Sequence, residues 1–259
     1  MVNLSFSLVT FEYFLIILVR IASFVAVAPF FSMNNTPYRV KIGFSVFVSL
    51  LLYQILPKTG LAYEGVFGFG VVIVREGITG LLIGFAANIC NSIILLAGNL
   101  IDMELGLSMA TEYDPMTHSQ VNITGQLYSY FIMLLLIVTD MHHYILRAAV
   151  DSYELIPING QVFDWEHLFQ SFLTYMTDLF VIAFRIILPV FAVMMILNCI
   201  LGIMAKVSPQ MNMFAVGMQM KILIGLGVLF LTIGLLPNIS NFIFTEMKRM
   251  MVSFIEGMY

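Results

Sequence analysis

The sequence predicts an all-α, membrane-inserted fold of long apolar helices and helical hairpins. Three observations predict it. Hydrophobic residues make up 61% of the 259 and charged residues only 10%, against about 25% charged in an average soluble domain. Mean hydropathy is +0.99. The apolar residues gather into long runs, several of them near the roughly 20 residues that carry a helix across the hydrocarbon core. So few charges cannot cover a particle of this size in water, and its exterior must face lipid or other protein. The length suits one domain, 1–259, with no appended soluble domain. The net charge of -4, without a basic run, leaves no footprint for nucleic acid.

The runs occupy 11–31, 40–56, 66–99, 121–139, 179–205 and 213–244. The first, fourth and fifth fit one span each, and the second is short for one. The third and sixth are too long for a single span, so they project beyond the bilayer or break near a glycine. Pro29, Pro37, Pro57, Pro115, Pro157, Pro209 and Pro237 punctuate the chain. Residues 140–178 are the most polar, with Asp151, Glu154, Asp164, Trp165 and Glu166. They are expected to form a surface loop with short helices. Residues 1–10 hold no Lys or Arg, so no charged leader region precedes the first run. Cys90 and Cys199 lie inside apolar runs and read as buried small hydrophobes rather than a disulfide. Counting Lys and Arg between runs sets Arg39, Lys41 and Lys206 against Lys58, Arg147, Lys248 and Arg249. That near tie assigns no orientation.

With residues 77–102 on one helix at 100° per residue, Gly77, Gly80, Gly84, Asn88, Asn91, Ser92, Asn99 and Asp102 share roughly one third of the circumference. This is a polar stripe on an apolar helix. Two readings fit it. Small residues admit a second backbone closely, which makes a helix–helix interface. The amides and Asp102 equally suit a hydrated pore or a neighbouring subunit. Further charges lie in apolar runs: Glu12, Arg20, Asp178, Arg185 and Lys221. Glu12 with Arg20, and Asp178 with Arg185, share helix faces but are too far apart to bond within a helix. They want partners on other helices or subunits, with snorkelling near helix ends as the other reading for Glu12 and Asp178.

No phosphate-binding loop, GxGxxG or GxSxG pattern occurs. His118, His142, His143 and His167 lack the spacing of a zinc site, and adjacent histidines on a regular element point apart. The expectation is no catalytic residue, no cofactor and no metal. The 19 methionines, several between 194 and 220, suit irregular core packing, with a compliant seal around a passage as a second possibility.

Three blocks together resemble the FliR family of the flagellar export gate, called SctT in virulence type III secretion. The first is Pro29-Phe30 followed by Pro37, Arg39 and Lys41. The second is Gly98-Asn-Leu-Ile-Asp102-Met-Glu-Leu-Gly106-Leu-Ser-Met-Ala-Thr, then Asp114-Pro115. The third is Pro189-Val-Phe-Ala, then Asn198, Leu201-Gly202, Lys206 and Pro209-Gln-Met-Asn212-Met-Phe214-Ala-Val-Gly217. The third is the most specific, because its polar and turn residues hold fixed spacing between two apolar runs. The match runs from end to end, and the flagellar branch fits better than the virulence branch.

The resemblance implies a non-enzymatic, pore-forming subunit of a protein-export gate in the bacterial inner (plasma) membrane and flagellar basal body. Its implied partners are FliP-like and FliQ-like gate subunits, an FlhB-like switch protein, exported unfolded flagellar proteins and membrane lipid. It implies a FliP-like part over 1–178 and a FliQ-like helical hairpin over 179–259, turning at Ser208 and Pro209. Ser208 would cap, and Pro209 would open, the following helix. The family's plug loop would fall on 106–122, with Gly106, Met109, Glu112, Asp114 and Pro115. That segment is too polar to face lipid and suits a cavity. Asn88, Asn91, Asn99 and Asp102 would line a pore or subunit interface, and Arg20, Arg185, Lys206 and Lys221 would be inter-subunit charges. The alternative is a small-molecule or ion transporter using Asp102, Arg185 and Lys221.

Overall fold

The computed structural model of the protein describes residues 8–32, 36–57, 63, 65–110, 112–114, 119–208, 210 and 212–259. The described residues are all-α apart from one small hairpin. In order come α1 (Leu8–Val27), α2 (Tyr38–Ile55), α3 (Gly65–Ala87) and α4 (Ile89–Leu105). Strands β1 (Glu112–Asp114) and β2 (Ser119–Val121) follow, then α5 (Ile123–Val138) and α6 (Met141–Leu155). The last elements are α7 (Trp165–Val207), α8 (Met213–Thr232) and α9 (Leu236–Glu256). Among the described residues, five helical stretches are long and apolar enough to cross a membrane, six if α5 and α6, bent by 72°, count as one span. Large side chains such as Phe67 (93% exposed) and Phe230 (75%) cover much of the exterior, a surface that only lipid or partner protein can bury.

The apolar runs become helices, with instructive differences at their ends. The third run breaks at Asn88, not at a glycine. The Asn88 amide is shared between the carbonyls of Gly84 (3.0 Å) and Phe85 (3.1 Å), a bifurcation common at helix termini. The polar stripe is therefore not one helix face, and that expectation is corrected. The sixth run breaks at a 3-10 turn over Ile233–Leu235, centred on Gly234, as a glycine break predicts. Residues 140–178 are mostly helical, not a loop. Ile145, Ala149, Ser152 and Tyr153 give α6 one buried face, and α7 begins at Trp165. Its 43 residues extend about 65 Å, roughly twice the hydrocarbon thickness. Asp140 makes the α5–α6 bend in the left-handed region, φ 56°, which a short polar side chain tolerates.

The chain forms two compact units. One holds residues 1–89, 140–175 and 246–259 and the other 90–139 and 176–245, so α7 and α9 contribute to both. In the first unit α3 lies directly against α1. A Cβ on Gly80 would overlap the Arg20 carbonyl oxygen and the Ser23 hydroxyl, and one on Gly84 would meet the Phe24 carbonyl at 2.9 Å. Ile16, Ile17, Ile21, Phe24 and Ile83 fill the core around this contact. Of the stripe's glycines, Gly80 and Gly84 make a close helix–helix contact here. Gly80→Ala should force the helices apart and lower stability by about 1–3 kcal/mol. Gly77→Ala, whose Cβ meets only Val19 Cγ1 at 3.5 Å, should melt near the wild-type temperature.

Arg20 has its partner inside this unit. Its Nε donates to Glu76 Oε2 at 2.5 Å, and the two side chains are 1% and 0% exposed. Nη1 donates to the Ile156 carbonyl at 3.1 Å, and the guanidinium carbon stands 4.1 Å from the Tyr153 ring centroid. The other Glu76 oxygen accepts from Gln161 Nε2 (2.7 Å) and the Asn159 amide (3.1 Å). Arg20 is thus an intrachain latch on the 156–161 turn, which corrects its reading as an inter-subunit charge. Glu12 also has a partner, accepting from the Tyr63 hydroxyl at 2.5 Å. That hydrogen bond to an acidic group, aided by desolvation, pushes the Tyr63 phenol above its ordinary pKa.

Candidate functional site

The polar residues of α4 converge on the start of α5, within the second unit. Asp102 is 1% exposed, and its two carboxylate oxygens accept from the Thr124 amide at 3.1 and 3.3 Å. The N-cap residue of α5, Asn122, makes no side-chain cap bond. Asp102 takes over that role from a neighbouring helix, placing a carboxylate at the positive end of the α5 dipole. The Asn122 amide group donates instead to Asn99 Oδ1. Two turns back on α4, Asn91 Oδ1 accepts from Ser129 Oγ at 3.1 Å. Between these bonds Gly98 meets Gly125, where an added Cβ would overlap the Gly125 backbone. Asn91, Asn99 and Asp102 therefore form one α4–α5 seam, and Asn88 stands at the helix break before it.

The seam closes the base of the segment expected to be the plug. Gly106, at φ 78°, ends α4 in the left-handed conformation that glycine adopts without strain. A 3-10 turn over Leu107–Ala110 carries Met109. Strand β1, with Glu112 and Asp114, then pairs antiparallel with β2 in the register Glu112↔Val121, Tyr113↔Gln120, Asp114↔Ser119. A hairpin satisfies backbone groups internally, as a segment away from bulk water requires. Pro115, Thr117 and His118 lie outside the described residues. At the neck, buried Leu105 occupies the space a Cβ on Gly225 of α8 would take.

Of the other expected residues, Arg185 is exposed on α7, with its guanidinium carbon 6.0 Å from the Phe242 ring centroid. Lys206 is exposed and Lys221 half-buried, and neither forms an ion pair among the described residues. The turn between α7 and α8 differs from expectation. The Asn212 side chain caps α8, accepting from the Ala215 amide at 3.4 Å. Ser208 follows α7 without capping α8, which starts only at Met213. Pro209, like Lys58, lies outside the described residues. Cys199 is exposed, whereas Cys90 is buried, and neither is in a disulfide.

His142 and His143 do not point apart. Their ring centroids are 4.0 Å from one another, and with Asp140 they bring one possible ligand atom each within 4.8 Å. The group opens α6, where the helix dipole opposes a cation. Glu76 escaped the sequence reading altogether. Its signal was an acid inside an apolar run, which requires a buried cation.

A model of the family described as bacterial export proteins, family 1, matches residues 11–247. The chain belongs to that family. It is 29% identical to the flagellar biosynthetic protein FliR of Borreliella burgdorferi, over 88% of this chain and 85% of the relative. Identity to the same-named protein of Bacillus subtilis is 28%, over 82% of each chain. For Escherichia coli it is 22%, over 92% of this chain and 91% of the relative. The three-block resemblance to the FliR/SctT family is thereby borne out, and the chain is a membrane component of the flagellar export apparatus.

Proposed function

We propose that the chain is a structural, pore-forming subunit of the flagellar type III export gate, and that its 106–122 hairpin is the plug. The observation that carries this reading is the Asp102–Thr124 and Asn99–Asn122 clasp, which fixes the base of a polar hairpin in an otherwise apolar chain. No bond is made or broken. The hairpin blocks the passage sterically at rest and moves aside for an unfolded flagellar substrate. FliP-like and FliQ-like subunits, with an FlhB-like switch protein and lipid, cover the exposed apolar helices in the bacterial inner membrane at the basal body. Residues 1–178 serve as the FliP-like part and 179–259 as the FliQ-like hairpin, in which Leu201 lies 3.4 Å from the Cβ position of Gly217. The transporter alternative needs a substrate site at midplane depth, whereas Asp102 is committed to the α5 N-terminus.

Deleting 106–122 and joining the ends with a short glycine–serine linker should raise ion leakage through cells carrying the assembled gate. Leakage equal to wild type, in a complex of unchanged mass, would remove the plug assignment.

A further inference from the structure

Residues of α5, α7, the 233–235 turn and α9 enclose an open cavity of about 380 Å³ within the second unit. Its wall is largely apolar. The hydroxyls of Tyr128 and Thr232 in that wall stand 3.4 Å apart, within hydrogen-bond reach of each other. Arg185 has no carboxylate within ion-pair distance among the described residues. It sits beside the midpoint of the 43-residue α7, with about 30 Å of helix on either side, so its side chain cannot snorkel to either end. Four residues on, Pro189 lines the same cavity. Proline has no N–H, so the Arg185 carbonyl loses its helical donor. Arg185 thus brings a cation to an apolar hollow, beside a carbonyl that its own helix leaves without the usual donor, and covering both with apolar protein is costly until another group completes them.

We propose that this cavity is a socket for an apolar helix of an unlike gate subunit, carrying one aspartate or glutamate that pairs with Arg185. A hydroxyl-bearing residue about one turn away on that helix donates to the Arg185 carbonyl. The inference rests on the gate-subunit reading. Charge complementarity selects the occupant: the cavity supplies a cation and needs an anion. The cavity wall selects a helix over a headgroup, because about 380 Å³ walled by Ile182, Ile186, Ile239 and Phe242 takes apolar side chains beside a single carboxylate.

The test uses the intact complex from cells. A photoreactive benzoyl-phenylalanine at position 242 should crosslink to a peptide of an unlike subunit, an apolar helix bearing one carboxylate. Arg185→Met should weaken retention of that subunit roughly a hundredfold, the scale for removing one partner of a desolvated charge pair. Arg185→Lys should retain most of it. Neutralising the crosslinked carboxylate in the Arg185→Met background should restore assembly, which a merely misfolded chain would not do. A phospholipid adduct, a crosslinked helix without a carboxylate, or normal assembly of Arg185→Met overturns the socket while leaving gate membership intact. A wild-type chain that purifies without any unlike subunit overturns both.

Discussion

Glu76→Leu should destabilise the protein by about 3–5 kcal/mol, the cost of stranding one member of a buried ion pair. Most domains are stable by only about 5–15 kcal/mol, so little folded protein should survive solubilisation at 37 °C. The size follows from what would be left behind. Arg20 is 1% exposed, and without Glu76 it would keep, among the described residues, the Ile156 carbonyl and the Tyr153 ring as partners. The Asn159 amide and Gln161 side chain would lose their acceptor as well. That releases the 156–161 turn, in which Asn159 holds a left-handed φ of 62°. Arg20→Met should be as damaging, because it strands the carboxylate. The double variant Arg20→Met/Glu76→Leu should recover most of the loss, since apolar side chains of similar volume can replace a buried pair at little net cost. Thermal midpoints of the three variants in one detergent would decide it. Additive losses in the double variant would show that the two residues act separately and that the latch is not a pair.

The helices were legible because apolar runs of this length have few alternatives once water is excluded. Their ends were less so. Asn88 fitted the stripe's periodicity as well as any position, so the 100° rule gave no warning of a break there. A polar residue with poor helix propensity was the available signal. The sequence marks Arg20 as a charge needing a partner on another helix or subunit, but Glu76 is 56 residues away, and such a pairing is set by tertiary packing alone. The hairpin was invisible for a different reason. Three residues per strand are too few to display a period of two. Its base is nevertheless in view, because Asn99 and Asp102 are polar groups in an apolar run and require partners. Sequence could say that they needed hydrogen bonds, but not that the donors stood at the start of the next helix.

That base also separates a gate from a merely well-packed seam. Asp102→Ala should leave the chain folded and raise ion leakage through the assembled gate. The substitution removes both acceptors of the Thr124 amide and the carboxylate at the α5 N-terminus, a loss of about 1–3 kcal/mol at a buried site. If the clasp holds the hairpin shut, each 1.4 kcal/mol multiplies the open population about tenfold, and leakage should rise in that proportion. Asp102→Asn keeps an acceptor without the charge and should fall between wild type and Asp102→Ala. Asn91→Ala supplies the contrast. It removes a bond of the same seam, to Ser129, but about four turns from the hairpin along α4. It should soften the α4–α5 contact without opening the passage. Equal leakage from Asn91→Ala and Asp102→Ala would mean that the seam as a whole seals the gate, and the hairpin would lose its special role. Leakage from Asp102→Ala alone would tie closure to the few bonds that join α4 to the first turn of α5.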